Sequence, residues 1–317
     1  MGWMNRLLDA SVVASFDQSG FRRHARSFEA ADLDVDLSGR RILVTGASGG
    51  LGIATAMALA QRGAEVWVSS RTASRAEAAC AAIREQHPSA RVFPAVFDVS
   101  SLDGVRSWVV SVPWTSLDVL IHNAGVLPAQ RSETAEGLEQ TVATNLVGPM
   151  ALTAALLPHL ERSSDPRIIW VSSGGMLTQK LDVDRTFDPP HPFDGVVAYA
   201  RTKRAEVVVA ERLQRELGPR VAVYSMHPGW AATPGVATSL PRFSKIMQRR
   251  LRTSEQGADT TVWLAARTPR PAPGGGFWFD RMPASTHPVP GLRASDAERE
   301  RLWDRLAALV DWPGSGA

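Results

Sequence analysis

Short apolar runs with the length of β-strands alternate with helical patterns along most of this 317-residue chain. Most of the runs are continuously apolar, which is typical of strands in a parallel sheet covered by helices on both faces. The strands are predicted at residues 41–45, 65–70, 91–97, 117–122, 167–172, 220–226 and 276–279. The helices are predicted between them, at residues 51–61, 74–85, 101–110, 138–160, 196–217 and 254–266. This order predicts right-handed β-α-β units and a single doubly wound Rossmann-type α/β domain with a seven-stranded parallel sheet.

Two shorter segments flank this domain, which we place at residues 37–285. Residues 286–317 are predicted to form a helix packed on the same domain, because Ser295 and Glu298 have the spacing of a capping box. Residues 1–36 are predicted to be a helical extension with an apolar start and a basic run. The apolar residues are Trp3, Met4, Leu7, Leu8, Val12, Val13 and Phe16, and the basic run is Arg22, Arg23, His24 and Arg26.

The N-terminal extension has two interpretations. An apolar helix beside cations can lie at a membrane interface and receive lipophilic substrates. Docking against the domain is the interpretation that we prefer, because Asp32, Asp34 and Asp36 weaken any attraction to anionic lipid.

Composition and charge narrow the function classes. The chain has 35 basic and 32 acidic residues, and this near balance does not resemble the surface of a nucleic-acid-binding protein. The single cysteine, Cys80, cannot form an internal disulfide. The sequence shows neither a signal peptide nor an apolar run that we expect to span a bilayer. We therefore expect a cytoplasmic protein.

A glycine-rich turn lies between the first predicted strand and the first predicted helix. Residues 45–52 read Thr-Gly-Ala-Ser-Gly-Gly-Leu-Gly, and glycines let backbone N–H groups approach a pyrophosphate at a helix N-terminus. Downstream, Tyr199 and Lys203 are four residues apart and project from one face of a helix. A neighbouring ammonium stabilises the phenolate, which suits a tyrosine to proton transfer. Such a pair alone is more often a surface contact, but with the glycine turn it predicts nicotinamide-dependent interconversion of a carbonyl and an alcohol.

The ordered motifs resemble those of the short-chain dehydrogenase/reductase superfamily over roughly residues 41–280. Residues 45–52 match the family's Thr-Gly-x-x-x-Gly-x-Gly motif, and residues 122–125 (His-Asn-Ala-Gly) resemble its Asn-Asn-Ala-Gly motif. Several segments, among them residues 171–177 and 226–230, resemble one subgroup of the family more closely. The tetrad of catalytic residues is matched by Asn145, Ser173, Tyr199 and Lys203.

The resemblance implies a role for each residue of the tetrad. Tyr199 is the general acid/base for the substrate oxygen, and Lys203 stabilises its phenolate and holds the nicotinamide ribose. Ser173 hydrogen-bonds the same oxygen, with the adjacent Ser172 as the alternative. Asn145 holds a water that links Lys203 to solvent, or is only a helix cap or a buried amide. The resemblance further implies that the cofactor is bound by Thr45, Gly46, Ser48, Gly50, Leu51, Gly52, Asp98, Val99, Asn123, Ala124, Gly125, Tyr199, Lys203, Pro228, Gly229 and Thr233.

The end of the second strand bears on the choice of cofactor. NAD-specific members of the family place an acidic residue where Ser70 falls, because a carboxylate hydrogen-bonds the ribose hydroxyl and repels a phosphate. Here Arg71 follows Ser70, and a guanidinium can bind a 2′-phosphate through two hydrogen bonds. The alternative is an arginine that is merely solvated. We expect NADP(H), with NAD(H) as the other candidate.

Two variable segments, residues 174–198 and 231–251, follow the fifth and sixth strands and are expected to meet the cofactor at the carboxyl edge of the sheet. Their apolar side chains predict a medium-sized lipophilic aldehyde, ketone or alcohol as the substrate. These side chains are Met176, Leu177, Phe187, Phe193, Trp230, Leu240, Phe243, Ile246 and Met247. The contrary evidence is a group of arginines that we interpret as a solvated helix face, namely Arg242, Arg249, Arg250 and Arg252.

The histidines of the chain do not indicate a catalytic or metal site. His122, His191 and His227 are interpreted as structural residues, and no spacing typical of a zinc or other metal site is present. The family resemblance leaves a homo-oligomer open. A protein of another class, an NADPH-binding redox-sensing scaffold without turnover, is the rival interpretation, and the intact tetrad argues against it.

Overall fold

One eight-stranded sheet runs through the part of the chain that the computed structural model describes, which is residues 12–233, 239, 245–287 and 291–313. The strands are β1 (Arg41–Val44), β2 (Glu65–Ser70), β3 (Arg91–Val96), β4 (Val119–His122), β5 (Arg167–Val171), β6 (Ala222–His227), β7 (Phe277–Phe279) and β8 (Met282–Pro283). Their spatial order is β3-β2-β1-β4-β5-β6-β7-β8. The first seven are parallel to their neighbours, which confirms the doubly wound α/β fold.

The predicted count of seven strands is wrong by one. The short strand β8 pairs antiparallel with β7 across a two-residue turn. The turn residues Asp280 and Arg281 have φ values of 48° and 60°, a left-handed pair that suits the right-handed twist of a tight hairpin. A strand of two residues carries no readable periodicity, which explains why the sequence did not predict it.

Helices cover both faces of the sheet. They are α1 (Val12–Phe16), α2 (Gln18–His24), α3 (Gly50–Ala60), α4 (Ala73–Gln86), α5 (Leu102–Val110), α6 (Gln140–Leu160), α7 (Val183–Phe187), α8 (Gly195–Leu217), α9 (Ser254–Ala266) and α10 (Asp296–Val310). The predicted helices and the seven predicted strands have bounds within two residues of those observed. The short helix α7 was not predicted and lies inside the predicted loop of residues 174–198.

Successive residues of each strand divide the core between the two faces of the sheet. Leu43 of β1 packs in a cluster with Ile168 of β5 on one face, which α5, α6, α8 and α10 cover. Ile42 and Val44 pack with Ile169 on the other face, which α3, α4 and α9 cover. Because side chains alternate across a strand, a continuously apolar strand is satisfied only when both faces are buried.

Helix α6 qualifies the expectation that no segment has the length and hydropathy of a membrane span. Its 21 residues have a mean hydropathy of 1.3 over the most apolar window, enough to cross a bilayer by composition. That window is 89% buried within the fold. A helix that is apolar on every side suits this position, since α6 packs between the sheet and its neighbouring helices.

The described part of the N-terminal extension lies against the domain as two short helices, α1 and α2, rather than the one that was predicted. Residues 1–11, including Trp3 to Leu8, lie outside the described residues. The carbonyl of Phe16 accepts hydrogen bonds from the Trp230 amide at 2.8 Å and from the Arg252 side chain at 2.9 Å. The extension therefore braces the loop that follows β6.

A buried ion pair holds this arrangement together. The guanidinium of Arg252 binds both carboxylate oxygens of Asp280, at 2.6 and 2.8 Å, and donates to the carbonyl of Ser15 at 2.9 Å. The ring of His24 contacts the same carboxylate at 2.6 Å. Burial alone would raise the pKa of Asp280, but its hydrogen bonds with His24 and Arg252 lower that pKa overall. Arg252 thus belongs to the interior and not to a solvated helix face, which corrects its predicted placement.

Helix α10 begins where the sequence predicted, after Ser295. The Ser295 hydroxyl accepts a hydrogen bond from the Glu298 amide at 3.2 Å, which is the first half of the predicted capping box. The Glu298 carboxylate instead accepts from the amide of Val183 at 3.4 Å, at the start of α7. A tertiary contact has therefore replaced the second half of the box.

Replacing Asp280 with asparagine should lower the free energy of unfolding by about 3 kcal/mol, because the variant leaves a buried guanidinium without its counter-charge. Asparagine tolerates the left-handed backbone at this position, so strain does not contribute. Urea denaturation measures the effect. Asp311→Asn is the matched control, since Asp311 is also left-handed but pairs with Arg106 at the surface. Equal, small losses of about 0.5 kcal/mol or less in both variants would contradict the role of the buried pair.

Candidate active site

The glycine turn between β1 and α3 has no room for a side chain at Gly46 or Gly52. A Cβ on Gly46, which has φ of 62°, would lie 2.8 Å from the Cα of Ala124. A Cβ on Gly52 would lie 2.5 Å from the carbonyl oxygen of Gly46. Gly49 differs from both, because a Cβ there would meet no atom within 4 Å and would point into open space. The turn therefore forms a backbone cradle at the N-terminus of an 11-residue helix, which fits a pyrophosphate.

Hydrogen bonds tie this turn to the loop after β4. The Thr45 hydroxyl accepts from the amides of Asn123 and Ala124, both at 3.0 Å. The Asn123 side chain donates to the carbonyl of Thr45 at 2.8 Å and to that of Gly46 at 3.2 Å. Thr45 is fully buried and is absent from the described lining of the adjacent cavity. Thr45 therefore lies behind the cradle and braces it, and its predicted contact with the cofactor stays a prediction.

A cleft follows the carboxyl ends of the strands from this turn to α8. One cavity of about 430 Å³ lies over the glycine turn and the ends of β2 and β3. A second, of about the same volume, lies over the ends of β5 and β6. The two share Leu51, Asn123, Gly125, Val126 and Thr233, so they form one continuous site. All predicted cofactor-binding residues other than Thr45 line one or both cavities.

The first cavity has a basic end. Arg71 and Arg75 line it from the end of β2 and the start of α4, and both are exposed. Neither forms an ion pair with another described residue. Ser70 lies beside Arg71, where a carboxylate would repel a phosphate. Sequence reasoning missed Arg75, although its position four residues after Arg71 was a readable signal.

Asn145 lies in a π-helical turn of α6, Ala143–Val147. Its side-chain oxygen accepts from the amide of Val126 at 2.8 Å, and its nitrogen donates to the Thr202 hydroxyl at 3.0 Å. The side chain thus connects the loop after β4 to the helix that carries Tyr199 and Lys203. Single π turns are rare and concentrate at functional sites. The side chain is a brace, and the predicted water contact stays a prediction.

Ser173, Tyr199 and Lys203 line the second cavity together. Ser173 follows the end of β5, and Tyr199 and Lys203 lie on the face of α8 that looks toward it. The Lys203 ammonium lies 5.5 Å from the centre of the Tyr199 ring. Ser172, the alternative to Ser173, is buried and donates its hydroxyl to the carbonyl of Lys203 at 2.8 Å. Its hydroxyl is therefore committed to the backbone, which favours Ser173 as the group facing a substrate.

The Lys203 ammonium has two protein partners. It donates to the carbonyl of Val171 at 2.9 Å and to the carboxylate of Glu206 at 2.7 Å. Burial opposes the charge on Lys203, but Glu206 and Tyr199 outweigh burial, so the pKa of Lys203 is raised. Sequence reasoning missed Glu206. The available signal was its spacing, three residues after Lys203 on the same face of the helix.

The predicted apolar walls of the substrate cavity are mostly wrong. Of the described candidates only Trp230 lines the cavity, and Leu240 and Phe243 lie outside the described residues. Met176 is fully buried against Val207 and Phe277. Phe187 packs in the core under α10, and Ile246 is 80% exposed. The observed apolar walls come from shorter side chains, including Val126, Leu127, Val171, Val196, Val197 and Ala231.

The histidines near the cleft are placed as structural residues. His122 is buried beside Trp170, with its Nε2 atom 2.8 Å from the Thr153 hydroxyl. His227 is buried between Phe16 and Phe279. Burial, aided by the positive charge of Lys203 for His122 and of Arg252 for His227, lowers the pKa of each to about 3. Both rings are therefore neutral at physiological pH.

The fold and this cleft define an oxidoreductase of the Rossmann type, with a dinucleotide cradle beside a serine, a tyrosine and a lysine. Comparison with known proteins specifies the family. A family model described as short chain dehydrogenase matches residues 40–242. The chain belongs to the short-chain dehydrogenase/reductase family, whose members bind NAD(P)(H).

Individual relatives agree with this assignment. The chain is 42% identical over 304 residues to dehydrogenase/reductase SDR family member 12 of Bos taurus, covering 95% of this chain and 96% of the relative. This confirms the subgroup likeness in the middle of the sequence. The chain is also 30% identical to retinol dehydrogenase 11 of Mus musculus, covering 88% of this chain and 90% of that relative. A solved structure of an uncharacterized protein from Mycobacterium paratuberculosis is 26% identical, with a TM-score of 0.70 over 90% of this chain and 98% of that one.

The glycine cradle yields a paired prediction on stability. Gly52→Ala should destabilise the protein by about 1–3 kcal/mol, because its Cβ meets backbone atoms that have no room to move. Gly49→Ala should unfold at the wild-type temperature without cofactor, because its Cβ meets nothing, yet weaken NADPH binding by filling the cradle. Thermal denaturation and fluorescence titration with NADPH measure the two effects. A destabilised Gly49→Ala variant would show that the turn packs differently.

Proposed function

We propose that this protein is an NADP(H)-dependent oxidoreductase that interconverts a carbonyl and an alcohol on a medium-sized lipophilic substrate. One observation carries the proposal. The cavity that holds Ser173, Tyr199 and Lys203 is continuous with the glycine cradle, so a dinucleotide in the cradle extends toward the phenol. When bound, the nicotinamide supplies or accepts a hydride at the substrate carbon.

The protein's own residues bind the substrate oxygen and transfer the proton to or from it. In the reductive direction Tyr199 donates its phenolic proton to the substrate oxygen, and in the oxidative direction the phenolate accepts it. Ser173 donates a hydrogen bond to the same oxygen and stabilises the charge that develops there. The Lys203 ammonium, held at Val171 and Glu206, stabilises the phenolate. Asn145 is proposed to hold the water through which the proton returns, at its main chain, since its side chain is committed.

The preference for NADP(H) rests on charge at the end of β2. Two exposed arginines, Arg71 and Arg75, line the cleft there, and no carboxylate occupies the position of Ser70. Guanidinium groups bind phosphate through paired hydrogen bonds, and two together favour a 2′-phosphate over a ribose hydroxyl.

The lipophilic substrate follows from the lining of the second cavity. Among its described lining residues, Lys203 is the one that carries a full charge, and it is bound by Glu206. The remaining lining is mainly apolar, with polar side chains at Asn123, Ser172, Ser173, Thr178, Gln179, Tyr199, Thr233 and Ser239. An anionic substrate would find no free positive charge to pair with among the described residues of this cavity. A neutral aldehyde or ketone needs no such charge.

A panel experiment separates this enzyme from a cofactor-binding scaffold. Purified protein loaded with NADPH is mixed with aldehydes, ketones and quinones, and loss of NADPH absorbance is followed in a single turnover. We expect apolar carbonyl compounds to react faster than small anionic ones. Binding of NADPH with no reaction across the panel would favour the redox-sensing scaffold.

Tyr199→Phe should reduce turnover by about 10²–10⁴-fold, because the substrate oxygen loses its proton donor. NADPH affinity should stay near that of the wild type. Stopped-flow NADPH oxidation measures the rate. Tyr224→Phe is the matched control, since Tyr224 donates to the carbonyl of Pro271 at 2.6 Å, away from the cleft. Turnover in Tyr199→Phe as high as in the control would contradict the assignment.

Arg71→Ala should raise the dissociation constant for NADPH by about 10- to 100-fold, the effect of losing a charge-assisted hydrogen bond. NADH binding should change little, because NADH lacks the phosphate. Arg75→Ala is expected to act in the same direction. Isothermal titration with both cofactors measures these affinities. Equal losses for NADPH and NADH would assign Arg71 a general electrostatic or folding role.

A further inference from the structure

Glu206 extends the line of Tyr199 and Lys203 along α8. The three residues are spaced at i, i+4 and i+7, so they lie on one face of the helix. The Glu206 carboxylate is 2.7 Å from the Lys203 ammonium, and that ammonium lies 5.5 Å from the centre of the Tyr199 ring. Lys203 is therefore held between the phenol and a carboxylate.

The structural setting of Glu206 does not explain its presence. The residue is 2% exposed, and Lys203 is the hydrogen-bond partner of its Oε1 atom. Its Oε2 atom is buried and has no hydrogen-bond partner among the described residues. A buried carboxylate costs several kcal/mol of desolvation, which a structural pair offsets with a full set of hydrogen bonds. An apolar side chain would satisfy the packing at lower cost.

Few ionisable groups lie near the Lys203–Glu206 pair among the described residues. Burial outweighs the attraction of Lys203 and raises the pKa of Glu206 to about 7. Glu206 is therefore ionised above neutral pH, where a phenol titrates. The other titratable groups that act on Lys203 are Tyr199 on the same helix and His122 on β4, and His122 is neutral in this range. Asn145 and Thr202, which pack beside them, are uncharged.

We propose that Glu206 is a positioning residue for the reaction, which fixes the Lys203 ammonium and partly balances its charge so that Tyr199 stays protonated to a higher pH. The carboxylate acts through Lys203 and does not touch the substrate. Its negative charge disfavours the phenolate, and its removal would leave the full charge of Lys203 acting on Tyr199. This role rests on the proposed function, although its electrostatic part can be measured without turnover.

The protein has two tyrosines, Tyr199 and Tyr224, so ¹³C-labelled tyrosine gives two phenol signals in an NMR spectrum. Burial raises the pKa of Tyr224 to about 12. The Tyr224→Phe variant assigns the signals. We expect Glu206→Gln to lower the ionisation midpoint of Tyr199 by on the order of one pH unit, for a charge removed about two helical turns away.

The control is Glu216→Gln, which removes the same charge from an exposed pair with Arg212 on the same helix and should leave the midpoint unchanged. Glu206→Asp keeps the charge, so the ionisation midpoint of Tyr199 in this variant should lie closer to the wild-type value than in Glu206→Gln. Circular dichroism and NADPH binding verify that each variant is folded. An unchanged or raised midpoint in folded Glu206→Gln would overturn the proposal.

Kinetics complete the test once the panel has identified a reactive carbonyl compound. The alkaline limb of the kcat/KM profile for reduction should move to lower pH in Glu206→Gln by the same amount as the NMR midpoint. A role in packing alone would lower the rate at every pH and leave the limb in place. If no carbonyl compound reacts, the proposed function fails, while the NMR titration still decides the role of Glu206.

Discussion

The parallel register of the sheet is the constraint on which this structure depends. Because β1, β4, β5 and β6 run in the same direction, their carboxyl ends meet at one edge of the sheet. Each of these strands is followed, within two residues of its end, by a residue that lines or supports the cleft. The glycine turn follows β1, Asn123 follows β4, Ser173 follows β5 and Pro228 follows β6. The two cavities are joined because these loops are neighbours in space, although they are far apart in sequence.

Two buried ion pairs serve this edge in different ways. Arg252 and Asp280 are joined by two hydrogen bonds, with further bonds to His24 and to the backbone of the N-terminal extension. That pair is saturated and holds chain segments together. Lys203 and Glu206 are joined by one hydrogen bond, and one carboxylate oxygen has no hydrogen-bond partner in the described part of the chain. Within the described residues, this second pair therefore lacks the full set of hydrogen bonds that the first pair has.

The N-terminal extension is part of the active-site framework. Phe16 lies against Gly174, directly after Ser173, where a Cβ on the glycine would come within 2.8 Å of the ring. The same residue bonds the Trp230 amide in the loop over the second cavity. A segment of short helices thus packs against the backbone at two places beside the second cavity.

Local patterns in the sequence were sufficient to predict seven of the eight strands, the longer helices and the glycine turn, because periodicity and short motifs depend on neighbouring residues. The tetrad was predicted from the family resemblance. The tertiary structure alone decided which apolar residues face the substrate, so Met176 and Phe187 proved to be core residues and Val196 and Val197 became walls. It also placed Thr45 behind the glycine turn, where it supports the backbone, and Arg252 at the centre of a buried hydrogen-bond network. Strand β8 was equally unreadable, and the burial of the Lys203–Glu206 pair could not be read from the spacing of the two residues along the helix. Each depends on which surfaces meet when distant segments pack, and burial and charge pairing are set by that packing and not by spacing along the chain.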